Sequence, residues 1–68
     1  MVQGMANTTK RVCAGFYERT DGSRVVEVRY FEHLRGWIAA ASWDRFLLTD
    51  PLPTKRAAIS QADLMIAA

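Results

Sequence analysis

The stretch Thr20-Asp21-Gly22-Ser23 decides the fold that this sequence predicts. Asp-Gly between two runs of alternating apolar and polar residues is the strongest short-range signal for a β-hairpin, and the flanking runs here extend from Arg11 to Arg19 and from Arg24 to His33. A two-residue type I′ turn at Asp-Gly would pair Tyr17 with Val26. This pairing collects apolar groups on one face of the sheet and leaves a mixed face on the other, as a half-buried antiparallel sheet requires.

A third strand and a helix are predicted to follow the hairpin. Arg35-Gly36 indicates a second turn with the glycine in a left-handed conformation, and a strand from Trp37 to about Trp43 follows it. Proline at positions 51 and 53 interrupts regular secondary structure. Thr54, which follows, is a suitable N-cap for a helix that runs to about Ile66. The predicted fold is α+β, a three-stranded antiparallel meander packed on one C-terminal α-helix. Residues 10–68 form a single β-β-β-α domain, and residues 1–9 a flexible N-terminal arm.

The alternation assigns each strand residue to one of two faces. Cys13 is assigned to the inward face together with Tyr17, Val26, Val28, Tyr30, Leu34, Trp37, Ala39, Ala41 and Trp43. The two alanines in the third strand leave room for a helix to approach closely. The helix offers an apolar stripe at the matching spacing, formed by Ala58, Ile59, Ala62, Met65 and Ile66.

Length and composition indicate a small soluble domain. The chain has 68 residues, of which 50% are hydrophobic and 24% charged, with a net charge of +2 and a pI near 9.1. This composition excludes a disordered chain, and no apolar run reaches the roughly 18 residues that span a membrane. Cys13 is the one cysteine, and the N-terminus does not resemble a signal peptide. We therefore expect a cytoplasmic protein without membrane association.

The sequence contains few residues that could act as a nucleophile, a general base or a metal ligand. Cys13 and His33 are the one cysteine and the one histidine, and the predicted faces separate them. The sequence has no CxxC or HxxxH pair, and none of its glycines lies in a phosphate-binding loop. We expect no enzyme, no metal, no cofactor and no small-molecule substrate.

The outer face of the predicted sheet is the candidate binding surface. It carries Phe16, Glu18, Glu27, Arg29, Phe31, His33 and Ile38, with Arg35 at the loop and Arg11 on the first strand. Phe16, Phe31 and Ile38 form an apolar strip with charged residues around it, which is typical of a contact with a protein partner or of a homodimer. Arginines interleaved with aromatics are also typical of nucleic-acid binding, which is the alternative function. A third interpretation is a solvent face on which Arg29 pairs with an acid.

The order of elements resembles a known family of DNA-binding domains. Three strands and a helix, with Gly15-Phe16-Tyr17 in the sheet and residues 54–59, Thr-Lys-Arg-Ala-Ala-Ile, opening the helix, resemble the arm-site domains of phage tyrosine recombinases and the plant AP2-type domain. In that family the sheet enters the major groove of DNA. The resemblance implies contacts with the groove or the phosphates from Arg11, Arg19, Arg24, Arg29 and Arg35. It also implies a small phage protein, and such proteins include regulators and inhibitors that act by protein contact.

Overall fold

The computed structural model describes residues 7–68 as one antiparallel sheet with one α-helix packed on one of its faces. The strands are β1 (Thr8–Cys13), β2 (Phe16–Thr20), β3 (Val25–Phe31) and β4 (Gly36–Ala41), and the helix is α1 (Lys55–Ala67). Each strand pairs with the next in sequence, in the order β1-β2-β3-β4. The predicted α+β class with an antiparallel sheet and a C-terminal helix is confirmed. The sheet, however, has four strands and not the predicted three.

The additional strand arises because the run from Arg11 to Arg19 is a hairpin and not a single strand. Ala14 and Gly15 form its turn, in which Gly15 has a φ of +75°. An isolated glycine inside an alternating run is a signal for such a break, since glycine adopts positive φ without steric cost. Of the predicted flexible arm, residues 1–6 lie outside the described part of the chain, and β1 already begins at Thr8.

The Asp-Gly hairpin forms with a longer loop than predicted. Thr20 pairs with Val25, so residues 21–24 form the loop, and Tyr17 lies opposite Val28 and not opposite Val26. The pairing is therefore displaced by two residues. Because side chains alternate with a period of two, a displacement by two keeps every residue of this hairpin on its predicted face.

The Asp21 side chain explains the longer loop. Its Oδ1 accepts hydrogen bonds from the backbone N–H groups of Arg24 and Ser23, each at 2.9 Å. These two bonds hold the pKa of Asp21 below its usual value. This local bonding of an aspartate to the backbone that follows competes with the type I′ turn, which requires positive φ at Asp21 as well as at Gly22. Gly22 has a φ of +101°, while Asp21 is not among the residues with positive φ.

The second turn also differs from its prediction. Phe31 pairs with Gly36, and a short 3₁₀ helix (Glu32–Leu34) lies between them, so His33 is not part of a strand. The left-handed residue is Arg35, with a φ of +50°, and not the glycine. Gly36 is required for another reason, because a Cβ there would lie 2.6 Å from the Cβ of Pro51.

The core lies between α1 and the inward face of the sheet. It contains Val26, Val28, Ala39 and Ala41 from β3 and β4, and Ala58, Ala62, Met65 and Ile66 from α1. The alanines on both sides allow the helix to approach the sheet closely, as predicted. Tyr30, Leu34 and Trp43, which are predicted on the same face, are exposed, although Tyr30 does lie on the inward face, opposite Trp37. Trp43 lies beyond the end of β4, in the turn that follows it.

The segment after β4 covers the outer edge of that strand. The backbone N–H of Ala41 donates to Leu47 O at 2.9 Å, and the N–H of Thr49 donates to Ala39 O at 3.0 Å. Further along, Trp37 and Leu52 exchange two backbone hydrogen bonds of 2.8 and 2.7 Å. These bonds satisfy the edge that β4 would otherwise present to another chain. Within residues 7–68 the one α-helix is too short to cross a bilayer.

Two arginines hold α1 against the sheet. Arg19 on β2 makes a two-pronged ion pair with Asp63 on α1, with Nε to Oδ1 at 2.7 Å and Nη2 to Oδ2 at 3.1 Å. Arg24 donates from Nη1 to the carbonyl oxygens of Ile66 and Ala68, at 3.2 and 2.8 Å. A cation at the helix C-terminus also interacts favourably with the helix dipole.

The ion pair predicts a loss of stability in acid. The hydrogen bond from Arg19, supplemented by one from Asn7, lowers the pKa of Asp63 below its unfolded value. Its stabilising contribution is therefore complete above the unfolded pKa and is lost as the pH falls through the folded one. Since the Asp63 side chain is 38% exposed, we expect Asp63→Asn to lower the free energy of unfolding at pH 7 by only about 0.5–1 kcal/mol.

Urea denaturation at several pH values measures this effect. The difference between wild type and Asp63→Asn should shrink as the pH is lowered toward about 3, since the wild-type carboxylate then becomes protonated. Asp50→Asn is the matched control, because Asp50 lies in an exposed loop. An equal loss in both variants, or a difference that does not change with pH, would contradict the role of the ion pair.

Candidate functional site

The face of the sheet opposite α1, named the outer face from here on, is the candidate site. No described element packs on it. Two neighbouring rows of residues run across the strands on this face. The acid row consists of Lys10, Glu18, Glu27 and Ala40, and the arginine row consists of Cys13, Phe16, Arg29 and Ile38.

Arg29 lies at the centre of the outer face. Its guanidinium carbon is 4.1 Å from the centroid of the Phe16 ring, and its Nε is 3.8 Å from Oε1 of Glu27. The Arg29 and Glu27 side chains are 47% and 42% exposed, so solvent screens this pair and it contributes little to stability. Glu18 and Glu27 lie directly opposite each other on β2 and β3. Like charges in directly opposed positions are unfavourable, so this pair attracts a cation.

A shallow cleft of about 210 Å³ lies at the end of the sheet formed by the β1–β2 turn. Its walls are Cys13, Ala14, Gly15, Phe16, Arg29, Tyr30 and Phe31. The prediction that Cys13 faces the core is wrong, because the residue is exposed and lies opposite Phe16. A β-bulge between Arg11 and Cys13 inserts one residue into β1, and an extra residue reverses the faces beyond it.

The structure divides the predicted contact residues between two faces. Phe16, Arg29 and Ile38 share one row of the outer face, and Phe31 lies one pair further along β3. Beyond Phe31, His33 contacts its ring edge-on with centroids 6.0 Å apart, and Arg35 ends the 3₁₀ helix. Phe16, Arg29, Ile38 and Phe31 therefore lie together on the outer face with His33 against Phe31, and their role in binding stays a prediction.

The remaining predicted contacts lie on the side of α1. Arg11 lies opposite Tyr17, which is on the inward face, and Arg19 is held by Asp63. Arg24 bonds the end of α1, and its guanidinium lies 5.2 Å from the Trp43 ring centroid. The placement of Arg11 on the outer face is therefore wrong.

Sequence reasoning missed the apolar residues that extend the outer face. Ala40 belongs to the acid row and neighbours Ile38 of the arginine row on the same strand. Leu48 forms an isolated β-bridge with Ala40. Leu48 is 50% exposed. The apolar run from Phe46 to Leu48 was the signal for this extension, but the proline residues that follow concealed its pairing with β4.

A small aromatic cluster lies on the opposite side of the sheet. The Trp37 ring centroid is 6.1 Å from that of Tyr17 and 5.4 Å from that of Tyr30. The Lys55 ammonium at the start of α1 lies 4.1 Å from the Tyr17 centroid. Tyr17 and Trp37 pack against the core, so this cluster closes one end of the hydrophobic interior.

No protein-family model, curated protein or solved structure matches this chain. The resemblance to the arm-site domains of phage recombinases therefore stays a prediction. In residues 7–68, no three His, Cys, Asp or Glu side chains are grouped so that they could hold a metal ion.

Proposed function

We propose that this protein is a binding module whose outer face contacts another protein chain. The observation that carries the proposal is the one-sided packing of the sheet. One helix buries the inward face, whereas Phe16, Phe31 and Ile38 on the outer face stay only partly buried among charged residues. An apolar strip with a charged rim is the usual composition of a protein contact.

The charges of the outer face favour a protein over a nucleic acid. Lys10 and Arg29 are balanced there by Glu18 and Glu27, and the two acids lie at the centre of the sheet. A polyanion gains affinity by exchanging counterions for a cluster of cations, and the acid pair would repel its phosphates. Arg19 and Arg24 are occupied with α1 and are not available to the outer face. These placements support protein binding.

A photo-crosslinker attached to Cys13 tests the proposal, because Cys13 is exposed and lies in the arginine row. The protein, labelled with benzophenone maleimide, is irradiated in an extract of its source cells. We expect a crosslinked adduct whose yield falls at least about tenfold in Ile38→Asp, since a charge at the centre of an apolar contact removes more than about 1.4 kcal/mol of binding.

The matched control moves the label to the exposed face of α1. Ser60 is exposed, so the double variant Cys13→Ser with Ser60→Cys carries the same crosslinker on the opposite side of the domain. The adduct should disappear in this control. Equal labelling from both positions, or no adduct from Cys13, would contradict binding through the outer face. The mass of the adduct shows whether the captured chain is a second copy of this protein or a different protein.

A further inference from the structure

We infer that the occupant of the outer face is a second copy of this chain. The two sheets would pack face to face about a two-fold axis, with Arg29 of each copy against Glu27 of the other. This inference rests on the proposed function and specifies its partner. The evidence is the self-complementary arrangement of charge and of side-chain size in the acid row and the arginine row.

The charge arrangement follows from the order of the two rows. Consider a two-fold axis that lies in the plane of the interface, perpendicular to the strands and midway between the two rows. Rotation about this axis places each strand over the same strand of the second copy, in the reverse direction. The acid row of one copy then lies over the arginine row of the other. Glu27 meets Arg29 of the second copy, and Glu18 lies beside the same guanidinium because it is opposite Glu27 on the neighbouring strand. Within one chain Arg29 already lies 3.8 Å from Glu27, so in the dimer each guanidinium would lie between Glu27 of its own chain and the acid pair of the second copy, and the symmetry makes this happen twice.

The apolar residues fit the same arrangement. On β4 the two rows carry Ala40 and Ile38, so the axis places the large side chain of one copy over the small one of the other. Packed sheets interdigitate their side chains across a spacing of about 10 Å, and a large residue over a small one provides this fit. Leu48 is bridged to Ala40 and lies at the margin of the contact, where its exposed surface would be covered.

Two other two-fold registers place like charges together. An axis across the strands at the acid row would set Glu18 and Glu27 against their own copies. An axis along the strands between β2 and β3 would set Glu18 against Glu27 of the second copy. Both arrangements bring four carboxylates together in a partly dry interface, which is strongly unfavourable. The charges therefore favour the register between the rows over these two.

The contact is small. Four strands spaced about 4.8 Å apart and about six residues long, at about 3.4 Å per residue, cover roughly 19 by 20 Å. Such a footprint, roughly 400 Å² on each copy, is about half of the roughly 800 Å² per partner of a standard interface, so we expect a weak dimer with a dissociation constant of roughly 1–100 µM.

The experiment uses two charge variants that should each fail to pair with themselves but pair with each other. Glu27→Arg places two cations side by side at the centre of the outer face, and Arg29→Glu places two acids at the same positions. Sedimentation equilibrium over about 10 µM to about 1 mM should show a monomer–dimer equilibrium for wild type. Each variant alone should dimerise at least about tenfold more weakly, because like charges of the two copies then face each other and repel.

An equimolar mixture of the two variants should recover the dimer. The paired cations of the Glu27→Arg chain would then face the paired acids of the Arg29→Glu chain, so that both central contacts join opposite charges. Circular dichroism melts confirm that both variants are folded, and Glu32→Arg, outside both rows, is the matched charge control. A strictly monomeric wild type overturns the inference, as does a mixture that is no more associated than its components. If Cys13 then crosslinks only to a different protein, the proposed function stands without the dimer.

Discussion

Gly36→Ala should lower the free energy of unfolding by about 2–3 kcal/mol, one of the two largest effects expected in this protein. The added Cβ would lie 2.6 Å from the Cβ of Pro51 and 3.2 Å from the carbonyl oxygen of Leu52. Both obstacles belong to a rigid segment, since the proline ring fixes its backbone and Leu52 is hydrogen-bonded to Trp37. The segment must therefore move away from β4, and its backbone hydrogen bonds weaken.

Chemical denaturation of four chains measures this effect as a double-mutant cycle. Pro51→Gly removes the Cβ that Gly36→Ala would contact, so the double variant should lose at least about 1 kcal/mol less than the sum of the two single losses. If the losses in free energy of unfolding are fully additive, the close approach of Pro51 is not what requires glycine at position 36. In that case the replacement would act through the backbone of β4 alone.

Ala62→Leu should produce a comparable loss, about 2–3 kcal/mol, by separating α1 from the sheet. Ala62 is completely buried, and the core that it enters also contains Ala39, Ala41 and Ala58. Three additional carbon atoms have no space in such a close contact. Since Asp63 is the next residue on the helix, a displaced α1 would also disturb the ion pair with Arg19.

The control for this prediction is Gln61→Leu. Gln61 is the neighbouring residue on α1 and is exposed, so the same leucine is added to the same helix without entering the core. Glutamine, alanine and leucine have similar helix propensities, so intrinsic preference does not explain a difference between the variants. Thermal and urea denaturation should show a loss for Ala62→Leu and a change within about 0.5 kcal/mol for Gln61→Leu. Equal losses in both variants would contradict the tight helix–sheet contact.

Several elements could be predicted from the sequence because local patterns are enough to specify them. Alternation in β3 and β4 placed Val26, Val28, Ala39 and Ala41 on one face, and this assignment is correct although the predicted pairing in the Asp-Gly hairpin is wrong. Between β2 and β3 the register is displaced by two residues, and an even displacement changes partners without changing faces. Thr54 also caps α1 as predicted, and its side chain accepts a hydrogen bond from the backbone N–H of Ala57 at 3.0 Å.

The errors have identifiable physical causes. Gly15 divides the first predicted strand, and the signal for this turn was present in the sequence. The face of Cys13 depends on a bulge that no residue pattern announces. Trp43 follows the alternation of β4 but lies beyond its end, because the chain turns back there to pair residues 47–52 with the strand.

The sequence by itself determined the class of fold, the faces of β3 and β4 and the small-residue contact with α1. These features depend on periodicity and on turn residues, which act over a few neighbouring positions. Only the tertiary structure decided the roles of the arginines. Their side chains are long enough to reach several partners, so Arg19 and Arg24 became ties to α1 once the helix lay beside them, while Arg29 remained on the outer face. The distribution of charge on the outer face therefore depends on the position of α1, because contacts with the helix determine which arginines remain free. These contacts join residues that are far apart in the sequence.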